Sequence, residues 1–304
     1  MDSNEKKALF ALSAIENLTS RRIRRMYDHA GSFTDALKVT EEEYISAGII
    51  DPSADRNYRG AFGKRSCDAA FLSEMAARYD RMGEDGIRMI TFGDAEMPGR
   101  FSILEDPPVC IYVKGKLPKD NVPSVSIVGT RNASEYGRCT ARDIAEELSD
   151  AGIQVVSGMA HGIDTMASVG ALRDGHDCYA VLGNGPDICY PQENQYIYDK
   201  LCDGYGGIIT EYPPGTPGIV WHFPARDRLI AALGDVLIVI EAQKKSGTAI
   251  TAGCAISQGK DIFALPGRIS DPMSAYCNEL IRDGANILTC AKDILSYFNL
   301  NKNE

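Results

Sequence analysis

The spacing of apolar and polar positions changes character once along the chain. From about Glu5 to Tyr79, Leu9, Leu12, Ile15 and Leu18 recur at helical spacing, and Ile23, Met26 and Tyr27 resume it after Thr19-Ser20. Phe33, Leu37, Tyr44 and Ile45 follow further short polar breaks. Apolar residues three or four apart line one helix face, so this pattern predicts a small all-helical domain over residues 1-80, without strands. Beyond about Gly86 short β-branched runs alternate with helical segments. The runs are 87-93, 109-115, 124-130, 153-158, 178-183, 207-212, 236-242, 261-267 and 286-289. From the third run onward helix-length intervals separate neighbours, including an amphipathic segment from about Glu135 to Asp150. That layout predicts an α/β domain over residues 86-300, built on a mostly parallel sheet with helices on both faces.

Sheets of this kind bind ligands beyond the carboxyl ends of their strands. Those ends carry Gly129-Thr130-Arg131, then Ser157-Gly158-Met159-Ala160-His161-Gly162, then Gly183-Asn184-Gly185. Further on come Glu211-Tyr212-Pro213-Pro214-Gly215, and Glu241 followed by Ser246-Gly247-Thr248. Glycine lets backbone N–H groups approach a ligand, hydroxyls donate, and the following helix dipoles favour negative charge. Any strand-to-helix junction favours glycine and a Ser or Thr cap. Repetition along one rim favours phosphate capture over turn-building alone.

Net charge narrows the choice of anion. A chain of 304 residues with formal net charge -10 has little broad attraction for duplex DNA, which depends on neutralising phosphates with Lys and Arg. A local basic site is compatible with that balance. The run Arg21-Arg22-Ile23-Arg24-Arg25 is the one dense basic patch of the helical part, and a solvated helix face explains it more simply than nucleic-acid contact. The nine cysteines are dispersed without a Cys-x-x-Cys, and the four histidines are far apart, so disulfides and a metal site are not expected. No apolar run reaches the roughly 20 residues that span a bilayer, and no signal peptide is seen, so a cytoplasmic protein without membrane attachment is expected.

Familiar nucleotide fingerprints do not fit. Gly183-x-Gly185 lacks the third glycine of the dinucleotide turn, and Gly253 to Lys260 runs from a predicted helix into a strand, the wrong order for a P-loop. Asp164, Asp187, Glu211 and Glu241 form no evident acid/base pair in sequence. Asp164 reads as an acidic residue in a helix's first turn, and Glu211 and Glu241 as partners of arginines or loop N–H groups. No catalytic residue and no cofactor are therefore assigned. Trp221-His222-Phe223-Pro224-Ala225-Arg226-Asp227-Arg228 sets aromatics beside two arginines, and Tyr190 and Tyr212 offer further exposed rings. Stacking contributes about 1 to 3 kcal/mol per base. Phe223 is better explained by packing a loop onto the sheet.

Gly129-Thr130-Arg131, SGMAHGID (157-164), GNGPDICYPQEN (183-194), EYPPGTP (211-217), FPARDRLIAAL (223-233), EAQKKSGTAITA (241-252) and FALPG (263-267), in this order, resemble the DNA-processing protein DprA (Smf) family. The resemblance covers about Met89 to Leu295. It implies a Rossmann-like domain that binds single-stranded DNA, forms homodimers and helps load a RecA-type recombinase in natural transformation. It also implies a phosphate contact for Arg131, with Ser157, Gly158, Gly162, Ser246 and Gly247 around the same pocket. Gly129, Thr130, His161, Gly183, Gly185, Tyr190, Asn194, Arg226, Arg228 and Thr248 complete the DNA-binding set expected on this resemblance.

The chain departs from the family pattern at several positions. Asp227 stands where asparagine is common, His161 where a basic residue is frequent, Ser168 where histidine is frequent, and Tyr276 where glycine is usual. No winged-helix module is expected after the sheet, and the amino-terminal helices resemble the SAM-like or helix-hairpin-helix region of some members without its glycines. Two alternatives share the fold: a nucleotide-cleaving phosphoribohydrolase-like enzyme and a mononucleotide-sensing module. The Pro-Gly-Gly-x-Gly-Thr-x-x-Glu motif of the former does not occur here.

Overall fold

The computed structural model describes residues 1–53 and 60–300. The expected domain span 1-80 includes residues 54–59, which lie outside these described residues, and the span 86-300 falls within them. The chain opens with α1 (Ser3–Ser13), α2 (Ser20–Ala30), α3 (Phe33–Ala36), α4 (Glu41–Ser46), α5 (Ala61–Ser66) and α6 (Ala69–Arg81). Their starts follow from capping: the side chains of Asp2, Thr19, Ser32, Thr40 and Asp68 each accept a first-turn N–H. Gly31, at φ 82°, ends α2 in the left-handed conformation.

The strands are β1 (Ile87–Thr91), β2 (Cys110–Gly115), β3 (Ser124–Gly129), β4 (Gln154–Ser157), β5 (Cys178–Val181), β6 (Gly206–Thr210), β7 (Val236–Ile240), β8 (Asp261–Ala264) and β9 (Asn286–Ile287). Between and after them lie α7 (Glu135–Asp150), α8 (Ile163–Ala171), α9 (Gln195–Cys202), α10 (His222–Leu233), α11 (Gly247–Ser257), α12 (Ala275–Arg282) and α13 (Ala291–Tyr297). The strands form one sheet in the order β1-β2-β6-β5-β4-β3-β7-β8-β9. The pairs β1/β2 and β2/β6 are antiparallel, and the remaining neighbours are parallel. The nine runs read from the sequence thus became the nine strands.

From β3 the chain builds outward through β4, β5 and β6, then returns to the other side of β3 and continues through β7, β8 and β9. This reversal is the switch point of the sheet, where a crevice opens at the carboxyl ends of the strands. Helices α7, α8 and α13 cover one face over Ile127, Val155 and Ile238, while α10, α11 and α12 cover the other over Val128, Val156 and Val239. The central strands are therefore apolar throughout, as in β7, where all five residues are buried.

The helical part has a core of its own around Leu9, Phe10, Met26 and Phe33, and this core continues into Ile87 and Met89 of β1 and Tyr112 of β2. The Ser13 and Tyr112 hydroxyls lie 2.6 Å apart, and Lys6 pairs with Asp94 at 3.1 Å. Among the described residues no helix is long and apolar enough to cross a membrane.

Candidate functional site

The turn after β3 is held from below. Thr130 donates its N–H to the carbonyl of Glu241 at the end of β7 (2.8 Å), and the Glu241 carboxylate accepts the Ser134 N–H at 2.8 Å and the Ser134 hydroxyl. The Ser134 oxygen in turn accepts the Gly137 N–H in the first turn of α7. A Cβ at Gly129 would stand 2.0 Å from the Ile240 carbonyl, so only glycine lets β3 and β7 meet here. Gly162, at φ 78°, lies against the same turn, with the Thr130 carbonyl 2.3 Å from where its Cβ would be. The loop after β4 is thereby pressed onto the loop after β3.

Arg131 projects from this braced turn into solvent. It forms no ion pair among the described residues, and its guanidinium carbon lies 5.8 Å from the centre of the Phe223 ring. Beneath it is a pocket of about 270 Å³, bordered by Gly129, Tyr190, Phe223, Arg226, Gly247 and Thr248. Tyr190 is 47% exposed and Trp221 58% exposed, whereas the Phe223 ring is only half-buried and tilts against Tyr190 at 5.5 Å. Tyr212 differs from the exposed ring expected. It is part-buried and stacked on the His222 imidazole at 3.8 Å, and burial pushes that imidazole's pKa down.

The pocket floor is charged and self-satisfied. Arg226 is buried, donating from Nε to Asp227 (3.1 Å) and from Nη1 to the carbonyls of Gly158 (2.8 Å) and Val181. The buried Asp164 carboxylate accepts the N–H groups of Gly158 and Ala160 at 3.1 and 3.4 Å. Two backbone donors of the SGMAHG loop are therefore already turned inward. Burial pushes Asp164 up to about 6, against the opposing pull of Arg226, and raises Asp227 in the same way.

Other expected site residues lie apart from the pocket or brace it. The Ser157 hydroxyl is buried and donates to the Ile127 carbonyl at 2.8 Å. Asn194 is buried and donates to the Met159 carbonyl at 2.8 Å. Gly183 accepts from His222 through its carbonyl, and Gly185 donates its N–H to Thr216, so both support the 211–218 loop. Ser246 stands at the N-cap of α11 without a capping bond, its hydroxyl donating to the Gln243 carbonyl at 2.8 Å, while Gly247 is exposed and Thr248 buried at the pocket edge.

Arg228 stands two residues after Arg226, about 200° around the same helix. It points to the seam with the helical part, where it meets Glu211 at 2.5 Å, and Glu211 also accepts the Ser20 hydroxyl at 2.7 Å. His161 borders a second, open hollow with Gln192 and Gln195 on the far side of Tyr190, its ring nitrogen 3.8 Å from Glu193. Of the family departures, Ser168 donates to the Asp164 carbonyl and Tyr276 donates its N–H to Ala242. Sequence reading passed over Val220, Ile230 and Thr251, which also line the pocket. Thr251 follows Thr248 by three residues and shares its helix face, a spacing that signals it. Among the described residues no group of three or more His, Cys, Asp or Glu side chains is placed to hold a metal ion.

Fold and rim together define a Rossmann-like protein whose switch-point crevice presents one free guanidinium among aromatic rings. Residues 88–299 match the family model of DNA recombination-mediator protein A. The chain is 38% identical over 283 residues to the DNA processing protein DprA of Streptococcus pneumoniae, covering 92% of this chain and 94% of that one. The crystal structure of DprA from that organism superposes with a TM-score of 0.76, at 31% identity and 97% coverage of both chains. A structure of Helicobacter pylori DNA processing protein A, described for its single-stranded DNA binding mode, matches at TM-score 0.62 and 30% identity, covering 70% of this chain and 96% of that one. The chain belongs to the DprA family of DNA-processing proteins.

Proposed function

We propose that this protein binds single-stranded DNA at the switch-point crevice, as a homodimer in the cytoplasm, and delivers the strand to a RecA-type recombinase. The observation that carries the reading is Arg131: a solvent-facing guanidinium on a turn fixed by Glu241, which forms no ion pair among the described residues and adds its charge to the pocket above Asp227. A guanidinium left free in this way matches a phosphate, to which it donates in a bidentate fork. Tyr190 and Trp221 stand exposed where bases of an unpaired strand can stack, a contact that a closed duplex does not offer. Membership of the DprA family and the single-strand binding of the Helicobacter pylori relative support the same reading.

The protein acts by binding rather than by bond cleavage. The two carboxylates nearest the pocket are engaged, Asp164 with loop N–H groups and Asp227 with Arg226. The test compares a single strand, a duplex of equal length and a mononucleotide. The single strand is expected to bind tightest, and equal affinity for all three would overturn the reading. Incubation with nucleoside monophosphates is expected to release neither base nor ribose phosphate. Recombinase loading is measured separately, as faster filament growth on strands coated with single-strand-binding protein. An unchanged rate would remove the mediator role while leaving DNA binding in place.

A further inference from the structure

The rim of the sheet is electrostatically divided at β3. Neighbouring strands β3, β7 and β8 are parallel, so their carboxyl-terminal loops rise along one edge. Those loops, residues 130–134, 241–246 and 265–274, contain Arg131, Lys244, Lys245 and Arg268. Their carboxylates are occupied: Glu241 is buried under Ser134, and Asp271 caps the Met273 N–H at 2.9 Å. Lys244 is paired with Glu279 at 3.0 Å. Lys245 and Arg268 are exposed and form no ion pair among the described residues. The β7 and β8 loops are also joined directly, Ala242 donating to the Met273 carbonyl at 2.6 Å and accepting from Tyr276 at 3.0 Å. The two cations therefore stand on one connected ledge.

The opposite half of the rim has the reverse character. Residues 158–162, 182–194 and 211–221, which follow β4, β5 and β6, contain no lysine or arginine. They carry Asp187, which accepts the Gly215 N–H at 2.8 Å, Glu211, which is paired with Arg228, and Glu193, which is exposed beside His161 and supplies the charge that a strand would meet there. A polyanion leaving the pocket meets like charge on this side and opposite charge on the other. Strand spacing places β8 about 10 Å from β3, within reach of neighbouring phosphates on one flexible strand.

We infer that single-stranded DNA held at Arg131, with its bases against Tyr190 and Trp221 at the pocket, continues from there over the β7 and β8 loops, where Lys245 and Arg268 take successive backbone phosphates, and not outward past Glu193. The inference rests on the single-strand reading above and adds a direction to it. The ledge acts only on strands long enough to reach it, so its signature is length dependence.

The experiment measures affinity and salt dependence for a thymidine dinucleotide, whose single phosphate Arg131 takes without reaching the ledge, and for an oligothymidylate of about twenty nucleotides, longer than a single-strand site. The variants are Lys245→Gln with Arg268→Gln together, Arg131→Ala, and Glu193→Gln. The double variant is expected to bind the longer strand about tenfold more weakly and to bind the shorter one within about twofold of the wild type. Its salt slope on the longer strand should flatten by about 1.4, from two phosphate contacts at about 0.7 each. Unchanged binding of the longer strand by the double variant, with Arg131→Ala weakening both lengths, would overturn the path while the crevice reading stands. Tightening by Glu193→Gln as large as that loss would place the strand on the other half and also overturn it. If Arg131→Ala changes neither length, the crevice reading itself has failed, and the path with it.

Discussion

Ser134 gives both its backbone N–H and its hydroxyl to the carboxylate of Glu241, 107 residues further along the chain. The contact fastens the amino terminus of α7 to the end of β7 and engages the Glu241 carboxylate beneath the turn that carries Arg131. Removing the hydroxyl loses a helix cap and a hydrogen bond to a buried charge, which together cost about 2 to 4 kcal/mol. Ser134→Ala should lower stability by that amount in denaturant melts. Its effect should be non-additive with Glu241→Gln in a double-mutant cycle. A loss below about 0.5 kcal/mol would show that the turn does not depend on this anchor.

Arg131→Ala should separate binding from stability. The side chain is exposed and unpaired among the described residues, so melting should stay near wild type. Loss of a charge-assisted contact of about 1.5 to 3 kcal/mol weakens single-strand binding about tenfold to hundredfold. The salt slope should flatten by about 0.7, for one phosphate. Reduced melting with intact affinity would reassign Arg131 to holding the turn.

Tyr190→Ala should give the complementary signature. Its ring contributes stacking and no charge, so affinity should fall by about 1 to 3 kcal/mol with an unchanged salt slope. Isothermal titration across salt concentrations distinguishes the two variants. A slope that flattens as much as in Arg131→Ala would exclude stacking as the role of this ring.

Asp164 sets a pH dependence of stability. Burial raises its folded-state pKa to about 6, above the ordinary 3.8, so folding favours the protonated form. Its contribution is complete below about pH 4 and is lost as the pH climbs through about 6. Asp164→Asn keeps an oxygen to accept the Gly158 and Ala160 N–H groups but cannot ionise. From about pH 4 to 7 the variant should gain on the wild type by up to about 3 kcal/mol. Parallel stability curves for the two proteins over this range would refute the assignment.

The strands were legible because buried parallel strands read as continuous apolar runs, as in Val236 to Ile240. The roles of Glu211 and Glu241 were legible too, since a carboxylate at a strand end has few partners other than an arginine or a loop N–H. Helical phase hid the division between Arg226 and Arg228. Sequence shows them side by side, yet one lies under the pocket and the other at the seam with α2. Burial hid Ser157 and Asn194, whose polar atoms satisfy backbone carbonyls inside the fold. The helical part reads as a separate pattern because its period changes at Gly86, although its apolar residues close over β1 and β2.

The two outer strands of the sheet are unlike. In β1 four of five residues are buried, while both residues of β9 are exposed, so one margin of the sheet lies beneath the amino-terminal helices and the other is bare. Burying the side chains of β1 under the amino-terminal helices thus makes the two ends of the sheet unequal templates for a further strand, and the exposed one, β9, is only two residues long and gives such a strand little to pair with.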